Sequence, residues 1–86
     1  MVELDTTEAR AARNRLARAN GQLAAVIRMI DDGEDCREIL TQLAACSRAI
    51  DRAAITLLST GMKQCYLDNE SEETQAELEK LFLSFT

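Results

Sequence analysis

Hydrophobic residues in the first third of the chain recur at the three- and four-residue spacing of an amphipathic helix. These positions are Leu16, Ala19, Leu23, Val26, Ile27 and Ile30. Asp5 is followed three residues later by Glu8, a spacing typical of a capping box at the start of a helix. The pattern predicts a first helix over about residues 6–31, and no segment of the chain shows the alternation of a strand.

A glycine and a second acidic pair mark the boundary between the first helix and the next one. Gly33 suits the left-handed residue that often follows a helix, and Asp35 with Glu38 repeats the capping spacing. Because the chain has no proline, and no glycine between Gly33 and Gly61, the second helix is predicted over about residues 35–66. Such a helix measures roughly 45 to 48 Å, which is too long for an isolated small domain.

The last part of the chain carries a shorter apolar stripe. It consists of Leu78, Leu81, Phe82 and Phe85. This stripe follows a break near residues 67–71 and predicts a third helix over about residues 71–84. The sequence thus predicts an all-α fold in which residues 1–86 form one domain of three helices.

The composition limits both the core and the chemistry of the protein. The 86 residues include one tyrosine, two phenylalanines and no tryptophan, so the core must come from aliphatic residues. A chain this short buries only roughly 60 to 65 % of its unfolded surface, and self-association is a common remedy. The chain has no histidine, which excludes histidine-based catalysis and histidine metal sites. A thiol nucleophile without a histidine base does not indicate an enzyme.

Charge is distributed unevenly along the chain. Residues 68–86 hold six acidic residues and one lysine and so account for the whole net charge of -5. Residues 9–30 hold five arginines and no acidic residue. A basic patch of this kind can bind an anionic partner such as DNA despite the overall acidity. The alternative is an ordinary solvated helix face.

The sequence predicts a cytoplasmic protein without a membrane partner. Its first residues lack the basic start and the apolar stretch of a signal peptide, and its apolar runs are too short to span a bilayer. Thiols stay reduced in the cytosol. The three cysteines are therefore candidates for sensing, metal binding or core packing rather than for structural disulfides.

Two of the cysteines lie at opposite ends of the predicted second helix. Cys36 and Cys65 are 29 residues apart, which places them on the same helix face but about 43 Å apart along it. They cannot meet within one chain, but they can meet between two antiparallel copies related by a two-fold axis near Ile50. The face between them holds Leu40, Leu43, Ser47, Ile50, Ala54, Leu58 and Gly61. This mostly apolar stripe predicts an antiparallel helical dimer.

The helix ends predict different roles for the two thiols. Cys36 lies in the first turn, where exposed backbone donors favour a thiolate, so it is the predicted attacking nucleophile. Cys65 lies near the other end, without that help, and is the predicted resolving thiol. The alternative is that the cysteines are small core residues, and this interpretation is favoured for Cys46, which lies among alanines on another face.

Several short segments occur together at a fixed spacing, namely Asn14-Arg15-Leu16, Gly21-Gln22-Leu23, Arg28-Met29-Ile30, Asp35-Cys36, Ile39-Leu40-Thr41-Gln42-Leu43, Asp51-Arg52 and Cys65. With these segments, about residues 8–67 resemble the CsoR/RcnR/FrmR family of bacterial transcriptional repressors. The resemblance implies a disc-shaped dimer of dimers that binds operator DNA. It also implies that an inducer acting at a site between two chains releases the DNA.

The same resemblance suggests which residues contact DNA. Arg15 and Arg52 match the family's DNA-contact arginines, and Gln22 is a plausible accessory. Arg18 lies with Arg15 on the side of the first helix that faces away from its apolar stripe.

The inducer is suggested by what stands at the family's site positions. Copper sensors of the family place a histidine where Gly61 stands, and nickel and cobalt sensors need more histidines still. Formaldehyde sensors use an N-terminal amine near a proline at position two, where this chain has Val2. The persulfide-sensing CstR type keeps both cysteines without the histidine, and the local segment from Asp32 to Cys36 is similar to that type.

The sequence therefore predicts a repressor that senses sulfane sulfur donors through Cys36 and Cys65, with no metal cofactor. The first alternative is a Cu(I) sensor that uses the same two thiolates, since soft ligands suit Cu(I). The second alternative is a helical module that binds a protein partner and no DNA.

Overall fold

A computed structural model of the chain describes residues 3–85 and contains three helices among them. Helix α1 spans Arg10–Asp31, α2 spans Cys36–Leu67 and α3 spans Glu72–Leu83. The described residues include no strand. The predicted all-α class with three helices is confirmed.

The first helix begins four residues later than the hydrophobic pattern predicts. Asp5 does act as a cap, because its Oδ1 accepts hydrogen bonds from the amides of Thr7 (2.8 Å) and Glu8 (3.3 Å). These bonds close a turn over residues 6–9 that leads directly into α1, and the regular helix starts only at Arg10. The predicted capping contact is present, but the predicted helix start at residue 6 is wrong.

The two long helices end in the same left-handed motif. Gly33 has a φ of 65°, and the Glu34 amide donates a 3.1 Å hydrogen bond back into the last turn of α1. Asn69 has a φ of 58°, and the Glu70 amide donates a 3.0 Å hydrogen bond to the Cys65 carbonyl. Each bond satisfies a carbonyl that the helix end would otherwise leave open. The role predicted for Gly33 is confirmed.

The starts of the other two helices differ in how they are capped. Helix α2 begins at Cys36, so this cysteine lies in the first turn as predicted. Asp35 occupies the N-cap position with a ψ of 131°, but its side chain accepts no capping hydrogen bond, contrary to the predicted capping pair. In α3 the Ser71 hydroxyl does cap, accepting from the Thr74 amide over 3.2 Å. The first turn of α2 therefore has no capping side chain.

Helix α2 is the common partner of the other two. Both α1 and α3 pack against it. The molecule is elongated and flat, with extents of 52 × 24 × 14 Å. Its fully buried apolar residues are Ala12, Ala19, Val26, Cys46, Ala53 and Cys65. Only small side chains are fully buried, so this core is thin even for a chain of 86 residues.

Most of the large aliphatic side chains remain exposed in the single chain. On α2, the stripe residues Leu40, Leu43 and Ile50 are 57 %, 40 % and 38 % exposed. On α1, only Ala19 and Val26 of the predicted apolar stripe are buried. The other four positions of that stripe are exposed, because α1 meets α2 along one narrow line of small residues. An apolar surface of this extent is typical of a subunit of an assembly.

The helices show no sign of a membrane span. Within residues 3–85, none is both long enough and apolar enough to cross a bilayer.

The left-handed turn after α1 yields a stability prediction. Replacing Gly33 with alanine forces a Cβ into a φ of 65° and should lower the free energy of unfolding by about 1 to 2 kcal/mol. Gly21 is the matched control, since it lies inside α1 with open space around its Cα. Gly21→Ala should raise the free energy of unfolding by about 0.5 to 1 kcal/mol.

Urea denaturation at one fixed subunit concentration measures both changes, because self-association couples stability to concentration. Equal effects of the two substitutions would contradict the role given to Gly33.

Candidate thiol site and nucleic-acid interface

Cys36 is an exposed thiol at the very start of α2. The first-turn amides around it have no capping side chain. Backbone N–H groups at such a helix start present partial positive charge to an approaching anion. A reagent in solution can therefore reach this thiol directly, next to a set of backbone donors.

Cys65 differs from Cys36 in both its position on α2 and its burial. It lies near the end of α2 and is completely buried. Burial raises the pKa of the Cys65 thiol, and the negative charges of Glu70 and Asp68 raise it further. The thiol is therefore held protonated at neutral pH, which makes it a poor first nucleophile.

A single chain does not bring these two thiols together. Helix α2 runs without a break from Cys36 to Leu67, so the two cysteines are separated by about 43 Å of helix. The stripe between them changes along its length. Its first half is exposed, whereas Ala54 and Leu58 are half-buried and Gly61 is buried.

The third cysteine belongs to the core. Cys46 is 1 % exposed, and its Sγ lies 3.5 Å from the carbonyl oxygen of Ala19, to which it donates a hydrogen bond. It therefore connects α2 to α1 and is shielded from solution. This is the position that the sequence favoured for Cys46 as a small core residue.

The four residues predicted to contact DNA lie together on the surface. Arg15, Arg18 and Gln22 follow one face of α1, and Arg52 approaches from α2. These four residues and Ala49 line one shallow depression, and we call the four polar residues the basic cluster. The two helices thus bring together residues that are up to 37 positions apart in the chain.

The basic cluster has the charge of an anion-binding surface. All four polar side chains are exposed, and the lining includes no acidic residue. Within residues 3–85, none of the three arginines forms a salt bridge. Their guanidinium groups are therefore available to bind phosphate or the edge of a guanine base.

Two features near Cys65 carry no recognisable signal in the sequence. The Leu4 side chain covers Gly61, with its Cδ2 3.8 Å from the position that a Cβ on this glycine would take. Met62 and Cys65 also line a cavity between α2 and α3. Both features depend on how the chain ends fold back onto α2, which local periodicity does not reveal.

The single chain does not form a complete metal site of the usual ligands. Among residues 3–85, no group of three or more His, Cys, Asp or Glu side chains is placed to hold a metal ion. Any metal site that uses Cys36 and Cys65 must therefore draw ligands from two chains.

Comparison with known proteins agrees with the resemblance noted in the sequence. Residues 8–84 match the family described as metal-sensitive transcriptional repressor. The uncharacterized protein YrkD of Bacillus subtilis is 45 % identical over 49 residues, which cover 55 % of this chain and 78 % of YrkD. No solved structure matches the chain.

Two further relatives are named as copper-sensing transcriptional repressors. CsoR of Bacillus subtilis is 31 % identical over 77 residues, covering 85 % of this chain and 76 % of CsoR. CsoR of Mycobacterium ulcerans is 34 % identical over 61 residues, covering 71 % of this chain and 52 % of that CsoR, so the chain spans about half the length of the mycobacterial protein. Because the family match extends over nearly the whole chain, this protein belongs to the family of metal-sensitive transcriptional repressors.

Proposed function

We propose that this protein binds operator DNA as a homotetramer and releases it when reactive sulfur species link Cys36 of one subunit to Cys65 of its neighbour. One observation carries the proposal: α2 has an exposed thiol at one end, a buried protonated thiol at the other, and an apolar stripe between them. Two such helices packed antiparallel cover their stripes and place unlike thiols opposite each other. The protein would act in the cytoplasm.

The exposed half of the stripe supports the antiparallel dimer. Leu40, Leu43 and Ile50 gain a large apolar contact only if a second copy covers them. Ile50 lies close to the midpoint between the two cysteines, so a two-fold axis there gives two equivalent thiol pairs. Pairing of two dimers into a disc follows the family resemblance.

The basic cluster is the proposed contact with duplex DNA. Arg15, Arg18 and Arg52 can each neutralise a phosphate or donate two hydrogen bonds to guanine, and Gln22 adds a polar donor beside them. A tetramer repeats the cluster four times. The resulting field attracts DNA even though the acidic end of the chain makes the protein negative overall.

The sensing chemistry begins at the exposed thiol. The Cys36 thiolate attacks a sulfane sulfur atom of a polysulfide or organic persulfide, forming a Cys36 persulfide and expelling the rest of the donor as a thiolate or hydrosulfide. The thiolate of the partner's Cys65, once deprotonated, attacks the inner sulfur of that persulfide. A Cys36–Cys65 disulfide forms and hydrosulfide leaves, so the sulfane sulfur is the oxidant that is reduced. A longer donor leaves a longer sulfur chain on Cys36, and attack of the Cys65 thiolate on the sulfur next to the end of that chain, with hydrosulfide leaving, gives a tri- or tetrasulfide bridge.

The bridge acts on DNA binding through the packing of α2. It ties the start of one α2 to the end of another at both ends of the dimer. A covalent ligand that fits only one quaternary arrangement shifts the population towards it. We infer that the linked arrangement separates the basic clusters from their DNA-binding spacing.

Cu(I) is the second candidate inducer, and the copper-sensing relatives favour it. The donor set fits in part, because Cys36 and Cys65 from two chains supply two soft sulfur ligands, the type that selects Cu(I). The Cys36 and Cys65 thiolates would hold the ion, which would supply a soft Lewis acid at the same site. The chain's own thiols would then hold the dimer in the released arrangement without becoming oxidised.

The basic cluster yields a prediction about operator binding. Arg15→Ala or Arg52→Ala should weaken binding by about 1 to 3 kcal/mol while the assembly stays intact, since each removes an exposed guanidinium from the cluster. The measurement is fluorescence anisotropy at fixed salt with a duplex that the wild-type protein selects from a random library.

Arg37→Ala is the charge-matched control. Arg37 is an exposed arginine on α2, about 22 Å along the helix from Arg52 and outside the basic cluster. Its loss should change binding far less. Equal losses of operator affinity in all three variants would show that the loss comes from overall charge and not from the basic cluster.

The different burial of the two thiols yields a prediction about reactivity. With iodoacetamide at pH 7, the exposed Cys36 should be alkylated much faster than Cys65, which is buried and protonated. Because the pKa of Cys65 is raised, its alkylation rate should continue to rise above pH 9, where an ordinary thiol is already half ionised. Peptide mass mapping of quenched samples gives both rates, and faster labelling of Cys65 at pH 7 would reverse the assigned roles.

The choice between the two inducers has a direct test. The reduced protein is exposed separately to inorganic polysulfide and to Cu(I), and release of the selected duplex is followed in the same samples. Non-reducing peptide mapping should show sulfur bridges between Cys36 and Cys65 that appear with DNA release. Unmodified thiols in polysulfide, with release by one Cu(I) per thiol pair, would instead establish the copper sensor.

A further inference from the structure

Residue 61, four positions before Cys65 on α2, offers no ligand. Gly61 has no side chain, and the Leu4 methyl group lies 3.8 Å from the position of its missing Cβ. The chain contains no histidine to supply a nitrogen donor elsewhere. A Cu(I) site formed by Cys36 and Cys65 therefore needs its third donor, if it has one, from another direction.

Met62 is the soft donor that the structure places next to Cys65. The two residues are three positions apart on α2, a spacing that makes their side chains neighbours on the helix surface, with Cβ atoms about 5 to 6 Å apart. Both line one cavity of about 190 Å³ between α2 and α3. Met62 is half-buried and Cys65 fully buried, so the cavity that both residues line is partly sheltered from solvent.

The rest of the cavity lining does not compete for a soft metal. Besides the two sulfur residues and Tyr66, it consists of Gln75, Leu78 and Glu79 on α3. Amide and carboxylate oxygens suit hard cations, whereas thiolate and thioether sulfur select Cu(I). Methionine has three rotatable bonds and so can turn its sulfur towards a metal without moving the backbone.

We propose that Met62 is a ligand of the site, a thioether that joins the Cys65 thiolate and the partner subunit's Cys36 thiolate in an all-sulfur, three-coordinate site for Cu(I). This proposal rests on the Cu(I) candidate given above. Met62 takes the place of the missing nitrogen donor, one residue further along α2 and on the side that faces α3. The cavity between α2 and α3 provides the room for it.

X-ray absorption at the copper edge tests the proposal on the full-length protein. Selenomethionine-labelled protein is loaded anaerobically with Cu(I), and the spectrum should contain a Cu–Se scattering path. Met62→Leu should abolish that path and lower Cu(I) affinity at least tenfold in competition with a chromophoric chelator; even outer-shell partners typically contribute 10- to 100-fold. Leucine conserves the volume of methionine closely enough to preserve the fold.

Met29→Leu is the matched control, because Met29 is also half-buried but lines a surface that holds no cysteine. It should keep both the Cu–Se path and the affinity. Cu(I) bound without a Cu–Se path in the labelled wild type, or a path that survives Met62→Leu, would overturn the role of Met62 and leave the Cu(I) candidate standing. A wild-type protein that binds no Cu(I) against the chelator would overturn both, whereas bridging by polysulfide would be unaffected.

Discussion

The structure depends on one long helix that a single chain cannot cover. Helix α2 has 32 residues, and the 22 residues of α1 and 12 of α3 shield only part of it. Apolar side chains left in water cost free energy in proportion to their area, and Leu40, Leu43 and Ile50 in the half of α2 nearest Cys36 are among the exposed ones. A second copy of the same surface is the simplest cover, and antiparallel packing makes one interface serve as both core and sensing site.

In the proposed sensor, the different burial of the two thiols decides which one attacks the reagent and which one resolves the persulfide. Cys36 reacts first with the reagent because it is exposed at a helix start. Cys65 reacts only afterwards, because burial and nearby carboxylates raise its pKa. Two equally exposed thiols would be oxidised to disulfides with any accessible thiol. The proposed Cu(I) site would use the same asymmetry, since Met62 in the cavity would add a soft donor on the buried side.

Much of this arrangement follows from local patterns in the sequence. The end of α1 at Gly33 and the position of Cys36 in the first turn of α2 follow from glycine conformation and helix spacing. The spacing of residues on α1 places Arg15 and Arg18 on one face, but only the packing of α1 on α2 adds Arg52 to them.

Local patterns do not predict contacts between segments that are distant in the sequence. Neither the contact of Leu4 with Gly61 nor the burial of Cys65 has a periodic signal. The pattern places the start of α1 too early, because a capped turn resembles a helix start in sequence.

In the proposed sensor the thiol site spans two subunits, and a mixture of two variants shows whether it does. Cys36→Ala and Cys65→Ala are each exposed to polysulfide alone, and then together after subunit exchange in mild denaturant. We expect that neither variant alone forms a Cys36–Cys65 bridge, whereas the mixture does, because each mixed dimer contains one intact pair. If the mixture fails to form the bridge under conditions in which the wild-type protein forms it, the thiol site is not shared between two subunits.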